Sequence, residues 1–189
     1  MKIFFLRHEK RPLYDPTFYT ELTEEGKKSA KTSLKEKLLK YNFTHIYCSP
    51  FIRTLQTIQP YLKETNKLVN IENGFMEGLH DYAFKFKTNV TLPENLYNEY
   101  NVNPNYKSIY PVNKCHFYES RDDINNRIKI TLDYIKTQHA NTNDKILICT
   151  HKCICNFGLG VLLNKARDKD EVYNMGTLST TIGNKVYFL

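Results

Sequence analysis

Two short apolar runs at opposite ends of the chain finish in the same way. Lys2-Ile3-Phe4-Phe5-Leu6 stops at Arg7-His8, and Lys145-Ile146-Leu147-Ile148-Cys149 stops at Thr150-His151. Hydrophobicity on consecutive positions, without alternation, predicts strands buried on both faces, the habit of a parallel sheet. In open α/β sheets ligands bind beyond the carboxyl ends of the strands. Both histidines are therefore expected at the end of the sheet where a site would form.

The chain between these runs alternates helix and strand patterns. Thr23 is placed to cap a helix whose first turn carries Glu24 and Glu25, with Ala30, Leu34 and Leu38 on its buried face. Phe43 to Cys48 reads as a second strand. Ser49-Pro50 then predicts the cap and first position of a helix buried through Phe51, Leu55, Ile58 and Leu62, with Arg53 in its first turn. Leu68 to Glu72 reads as a third strand, followed by an Asn73-Gly74 turn. Ser120 and Asp123 form a capping-box start for a helix with the stripe Ile124, Ile128, Leu132 and Ile135. A helix from about Lys152 through Leu163 follows the late strand, and two strands about a Gly183-Asn184 turn close the chain. Between them, residues 81–118 lose hydrophobic periodicity and are interrupted by Pro93, Pro104 and Pro111. A long irregular stretch of this kind reads as a functional lid rather than a second domain. Within it Phe84-Lys85-Phe86-Lys87 is expected as an edge strand, and Tyr82, Tyr106 and Tyr110 as lid packing.

The expected architecture is α/β: a three-layer α/β/α sandwich with a mostly parallel central sheet and an irregular lid insertion, in one domain spanning 1–189. A length of 189 residues suits one such domain. A net charge of +7 favours acidic partners, but the lysines are scattered and no nucleic-acid signature appears. No apolar run reaches membrane-spanning length, and the N-terminus lacks a signal-peptide cleavage pattern. Five cysteines without a regular framework fit reduced thiols in the cytoplasm. Cys149, His151, Cys153 and Cys155 lie close in sequence, yet their spacing matches no usual zinc motif.

The Arg7-His8 opening resembles that of the histidine phosphatase superfamily, the phosphoglycerate-mutase-like fold. So do Leu22-Thr23-x-x-Gly26, Ser49-Pro50-x-x-Arg53-x-x-x-Thr57, the turn leading to Glu77, Glu119-Ser120 through Arg127, and Thr150-His151. The resemblance covers nearly the whole chain outside the lid. It implies a phosphatase that hydrolyses phosphate monoesters through a phosphohistidine on His8, with Glu77 as general acid and base. Arg7 and Arg53 would clamp the phosphoryl group, His151 would stabilise its charge as an imidazolium, and Thr150 and Lys152 would add substrate contacts. Arg11 occupies the neighbourhood where the family often has Asn or Ser/Thr, and is either a third phosphate contact or simply exposed. His8 must keep one nitrogen unprotonated, so its other nitrogen needs an acceptor, expected to be a backbone carbonyl. The scheme needs no cofactor and no metal. The implied partners are a phosphorylated small molecule or a phosphoprotein, without nucleic acid or membrane.

Alternatives stay open at this point. Glu72 competes with Glu77 for the acid. His45, His80, His116 and His139 lack the sequence context of the two strand-end histidines, and only His80 is near enough to Glu77 to line a rim. Glu9 stands where the family usually has glycine after Arg-His, so a carboxylate either faces the phosphate pocket or turns away from it. A phosphoglycerate-type mutase, a non-catalytic phospho-ligand binder and a zinc protein built on the Cys/His group are the rival readings.

Overall fold

The computed structural model describes residues 1–13, 17–80, 90–165 and 174–189. Its sheet has six strands in the order β3-β2-β4-β1-β5-β6. They are β1 (Lys2–Arg7), β2 (His45–Cys48), β3 (Asn70–Ile71), β4 (Lys145–Thr150), β5 (Leu178–Ile182) and β6 (Lys185–Phe188). The first four are mutually parallel, and β5 and β6 run antiparallel at one edge.

Among the described residues five α-helices cover the sheet: α1 (Glu24–Ser29), α2 (Lys35–Leu39), α3 (Ile52–Thr65), α4 (Arg121–Gln138) and α5 (Lys152–Leu163). The pleat of β1 separates two cores. Phe4 and Leu6 pack with Leu34, Leu38, Leu55, Ile58 and Leu62 on one face. Ile3 and Phe5 pack with Ile124, Ile128, Leu132 and Leu159 on the other. Because β1 and β4 are central and covered on both faces, neither strand alternates in hydrophobicity. The expected three-layer α/β arrangement is the one observed.

Local signals account for most boundaries. Thr23 accepts from Gly26 N at 3.1 Å, and Ser120 and Asp123 close a reciprocal capping box. The helix begun by α1 runs through a π-helical stretch, Ala30–Leu34, into α2 while keeping Ala30, Leu34 and Leu38 buried. One boundary differs from expectation. Helix α3 begins at Ile52 with Phe51 as its N-cap and no side-chain cap bond, so Ser49 does not cap it. The third strand is also shorter than expected, because Val69 bridges Val102 outside the main sheet.

In the irregular stretch after Val90, short 3₁₀ turns at Glu94–Leu96 and Val112–Lys114 alternate with loops. Leu92, Tyr100 and Val102 bury themselves against the first core. The edge strand expected at Phe84–Lys87, and Tyr82, lie outside the described residues. Among the described residues no helix is long and apolar enough to cross a membrane.

Candidate active site

The parallel pairing of β1 with β4 sets Arg7 opposite Thr150, so the residues that follow, His8 and His151, emerge side by side. His8 N donates to Thr150 O at 2.9 Å, tying the two strand ends together. The imidazole centroids stand 5.3 Å apart. Both rings are buried, at 3% and 0% exposure.

His8 Nδ1 lies 2.7 Å from the carbonyl oxygen of Glu9. A carbonyl only accepts, so Nδ1 carries the proton and neutral His8 keeps Nε2 as a lone pair. Burial first, then the charges of His151 and Arg53, holds the His8 pKa well below its ordinary value. The ring is therefore neutral near pH 7. Glu9 itself turns away from the pocket: Ser29 Oγ donates to its Oε1 at 2.8 Å. Gly176 packs on the same carboxylate, and a Cβ there would fall 2.2 Å from Oε1. Its φ of +70° also favours glycine. Lys10 is engaged separately by Glu25.

Arg53 enters from the first turn of α3, with its side chain fully buried. Nη1 donates to Thr17 O at 2.9 Å and Nη2 to Glu77 Oε2 at 3.3 Å, while the guanidinium lies 4.7 Å from the Phe51 ring centroid. Burial lowers its pKa to about 10, which leaves it charged. The buried Nε of Arg53 makes no hydrogen bond within the described residues. Arg7 stands within electrostatic reach of Cys155, Glu77 and Arg11, and burial is the main cause of its lowered pKa. Arg11 donates to Pro12 O at 2.6 Å, and its charge is felt by Arg7, Arg53 and His151.

Glu77 joins these groups from the turn after β3. Its Oε2 is 3.1 Å from His151 Nδ1, without the alignment of a formed hydrogen bond. Its Oε1 accepts from Cys153 Sγ and Gly78 N, both at 3.2 Å. Desolvation pushes the Glu77 pKa up, but the neighbouring His151, Arg53 and Cys153 prevail and hold it well below the usual carboxylate range. His151 is lowered to about 4, mainly by burial and against the pull of Glu77. Near pH 7 Glu77 is thus ionised and His151 neutral.

The two glutamates sit in different surroundings. Glu72 is fully buried and accepts from Gly74 N, Tyr106 Oη, Ser108 Oγ, Ile109 N and Tyr110 N at 2.6–3.1 Å. It fastens the 106–110 stretch to the sheet edge. Thr150 donates to Phe75 O at 2.6 Å, bracing the same turn from below, and Lys152 is the first residue of α5. Cys149 donates to Thr54 O, on the α3 side of the sheet, whereas Cys153 faces Glu77. The Cys149, His151, Cys153 and Cys155 quartet is not among the metal-capable groups of the described residues.

Two contributors were not anticipated. Ser49 Oγ contacts His151 Nε2 at 2.8 Å, so the residue expected to cap a helix orients a site histidine instead. A Ser49 hydroxyl donating to Nε2 leaves the Nδ1–H of neutral His151 facing Glu77. Arg127, fully buried, donates from Nε and Nη2 to Glu119 at 2.6 and 3.0 Å, from Nη1 to Gly74 O at 2.8 Å and from Nη2 to Glu77 O at 3.0 Å. The carbonyl of Glu77 is thereby anchored to α4. Arg127 ends the stretch that resembles the family's helix entry, but nothing local announces its reach across the fold.

Cations, buried donors and a neutral imidazole converging beside one carboxylate make an anion pocket with groups suited to nucleophilic and acid–base chemistry. The chain is similar in fold to several solved structures. The ecdysone phosphate phosphatase of Bombix mori, solved with tungstate, superposes with a TM-score of 0.77 at 16% identity, over 100% of this chain and 91% of that one. Mycobacterial glucosyl-3-phosphoglycerate phosphatase gives 0.68 at 16%, over 95% and 88%. A phosphoserine phosphatase mutant from Entamoeba histolytica, in complex with phosphoserine, gives 0.61 at 18%, over 99% and 94%. No curated protein sequence matches the chain. The model of the histidine phosphatase superfamily (branch 1) matches residues 7–183, and the chain belongs to that family.

Proposed function

We propose that the protein is a phosphomonoesterase acting through a phosphohistidine on His8. The observation that carries this reading is the Nδ1 contact of His8 with the Glu9 carbonyl, which leaves Nε2 unprotonated near the buried Arg53 guanidinium. Nε2 attacks phosphorus as the bond to the leaving oxygen breaks. Arg7, Arg53 and Arg11 bind the phosphoryl oxygens, and the unpartnered Nε of Arg53 suits an oxygen acceptor.

Glu77 is ionised before substrate arrives, so the proton it gives to the leaving oxygen must enter with the ester. A phosphoryl group placed beside the carboxylate raises its pKa and that of His151, and both changes favour proton uptake on binding. His151 thus becomes the charge-stabilising imidazolium only once substrate is bound. Water then attacks the phosphohistidine, passes a proton to Glu77 and releases phosphate and neutral His8. No step calls on a metal or cofactor.

The substrate class is a phosphorylated small molecule, as in the similar structures solved with their ligands or named for them. Residues 81–118 act as a lid insertion of a single domain, a reading supported by the fastening of 106–110 to Glu72 beside the Glu77 turn. The free thiols support a reducing, cytoplasmic setting. The test is hydrolysis of an aryl phosphate by the wild type and His8→Ala, with and without chelator. Chelator-resistant turnover that disappears in His8→Ala is expected, and turnover that survives His8→Ala overturns the mechanism.

A further inference from the structure

A second constellation lies at the other end of the sheet, away from the phosphoryl pocket. His45 is the first residue of β2, and Asp144 immediately precedes β4, the strand paired with it. His139 is the C-cap of α4, from which the chain reverses through Asn141, at φ +61°, into β4. Three separate elements thus bring two imidazoles and one carboxylate together. We propose that His45, His139 and Asp144 form a binding site for a divalent transition-metal ion, zinc above all.

The spacing fits. His139 Nδ1 is 2.9 Å from Asp144 Oδ2 and His45 Nδ1 is 3.7 Å from Asp144 Oδ1. One donor atom from each residue lies within 4.8 Å of the other two. In a tetrahedral zinc site with bonds of about 2.0–2.1 Å, neighbouring donor atoms sit roughly 3.3 Å apart. The rings are already drawn together, with centroids 4.3 Å apart. Small rotations would bring all three donors onto one ion.

The supporting contacts are those of a ligand set. Tyr47 Oη lies 3.4 Å from His139 Nε2, the nitrogen that would not face the ion. The contact fixes the ring; for Nδ1 to reach a metal, its hydrogen bond to Asp144 must give way and Nε2 must carry the proton toward Tyr47. The Asp144 backbone is held as well: its N–H donates to Thr142 Oγ1 at 3.2 Å and its carbonyl accepts from Lys2 N at 2.7 Å. Imidazole groups are largely neutral at pH 7 and able to donate a lone pair to a metal, and carboxylates are ionised there. Thr44 Oγ1 also faces His45 Nδ1, at 3.1 Å, and would have to yield it. The nearby cation, Lys67, is engaged by Asn42 and the Phe43 carbonyl. His139 is buried, whereas His45 and Asp144 have side-chain exposures of 40% and 21%, leaving a solvent path for entry and room for water as a fourth ligand. A bound ion would tie the starts of β2 and β4 to the end of α4.

His8, Glu77 and His151 have comparable donor spacing, and the free cysteines also bind soft metals, so the test separates all three. Chelator-treated full-length protein is titrated with Co²⁺, followed by visible ligand-field absorption, and then competed with Zn²⁺. The variants are His45→Ala, Asp144→Asn and, as a control for the phosphoryl pocket, His8→Asn. Expected is one ion per chain without a thiolate charge-transfer band, at least tenfold weaker in His45→Ala or Asp144→Asn and unchanged in His8→Asn. Zinc at ten times its dissociation constant should raise the folded-to-unfolded ratio of the wild type about elevenfold. Absence of binding, a thiolate band, wild-type affinity in both His45→Ala and Asp144→Asn, or loss confined to His8→Asn would each overturn the assignment.

Discussion

Replacing Arg127 with methionine removes the cation that ties Glu119, Gly74 and Glu77 together. The Glu119 carboxylate, 5% exposed as a residue, would keep only its bond from Leu79 N at 2.9 Å. The carbonyls of Gly74 and Glu77 would each lose the donor they now have in Arg127. Breaking a buried pair on one side costs about 3–5 kcal/mol, because an uncompensated charge stays behind. Total stabilities are about 5–15 kcal/mol, and each kcal/mol moves the midpoint of a domain this size by roughly 2–4 °C. A fall of roughly 6–20 °C in Tm is therefore expected. Urea unfolding at pH 7 gives the free energy directly, and Glu119→Leu completes a double-mutant cycle. The double variant should be more stable than Arg127→Met alone, since it removes the orphaned carboxylate. Below the melting range kcat should fall by about a hundredfold, the scale for a displacement of about 1 Å. KM should move little, because Arg7 and Arg53 are untouched. A cost below about 1 kcal/mol, or costs that simply add in the cycle, would refute the electrostatic account. An unchanged kcat in folded Arg127→Met would refute the positioning of Glu77.

Three further outcomes follow from the same geometry. Ser49→Ala strips His151 Nε2 of its 2.8 Å partner, and leaving that buried nitrogen unsatisfied costs about 1–3 kcal/mol, so kcat on an aryl phosphate should drop roughly tenfold or more with the fold retained. Glu9→Gly should lower Tm and fail to raise turnover, because the carboxylate supports Ser29 and the Gly176 loop; a more active variant would show that Glu9 hinders substrate. His8 and His151 are both held below the ordinary histidine value of 6.5, His151 at about 4, with burial the leading cause. The unfolded chain therefore takes up protons first as pH falls, and stability is full above about pH 6.5 and declines toward pH 4. The slope is up to about 1.4 kcal/mol per pH unit for each histidine. Glu77, also lowered, adds to the loss below its ordinary 4.5. A urea midpoint unchanged between pH 7 and pH 5 would contradict this.

The parts legible in the sequence were those decided by local pattern. β1 and β4 stand out because strands covered on both faces must be apolar at every position, and their shared ending foretold the adjacency of His8 and His151. α4 begins at its capping box and α5 spans Lys152–Leu163 as expected. What failed depended on partners distant in the chain. Ser49 looks like a cap until His151, on another strand, claims its hydroxyl. Glu77 is preferred to Glu72 on motif position alone, and the bonds that engage Glu72 appear only once the 106–110 stretch folds back onto it. The direction of Glu9 is set by Ser29 and Gly176, neither of them its neighbour.

The central claim is a covalent phosphohistidine on His8. Its most direct measurement is rapid quench of the enzyme with an aryl phosphate into base, which preserves phosphohistidine, followed by intact mass and peptide mapping. Glu77→Gln is the variant to trap, since it should still accept the phosphoryl group from a good leaving group yet lack the base that activates water. One added phosphoryl group, acid-labile and mapped to His8, is predicted. Turnover with no phosphoenzyme at any quench time in either protein, or a phosphoryl group mapped to another residue, would contradict it.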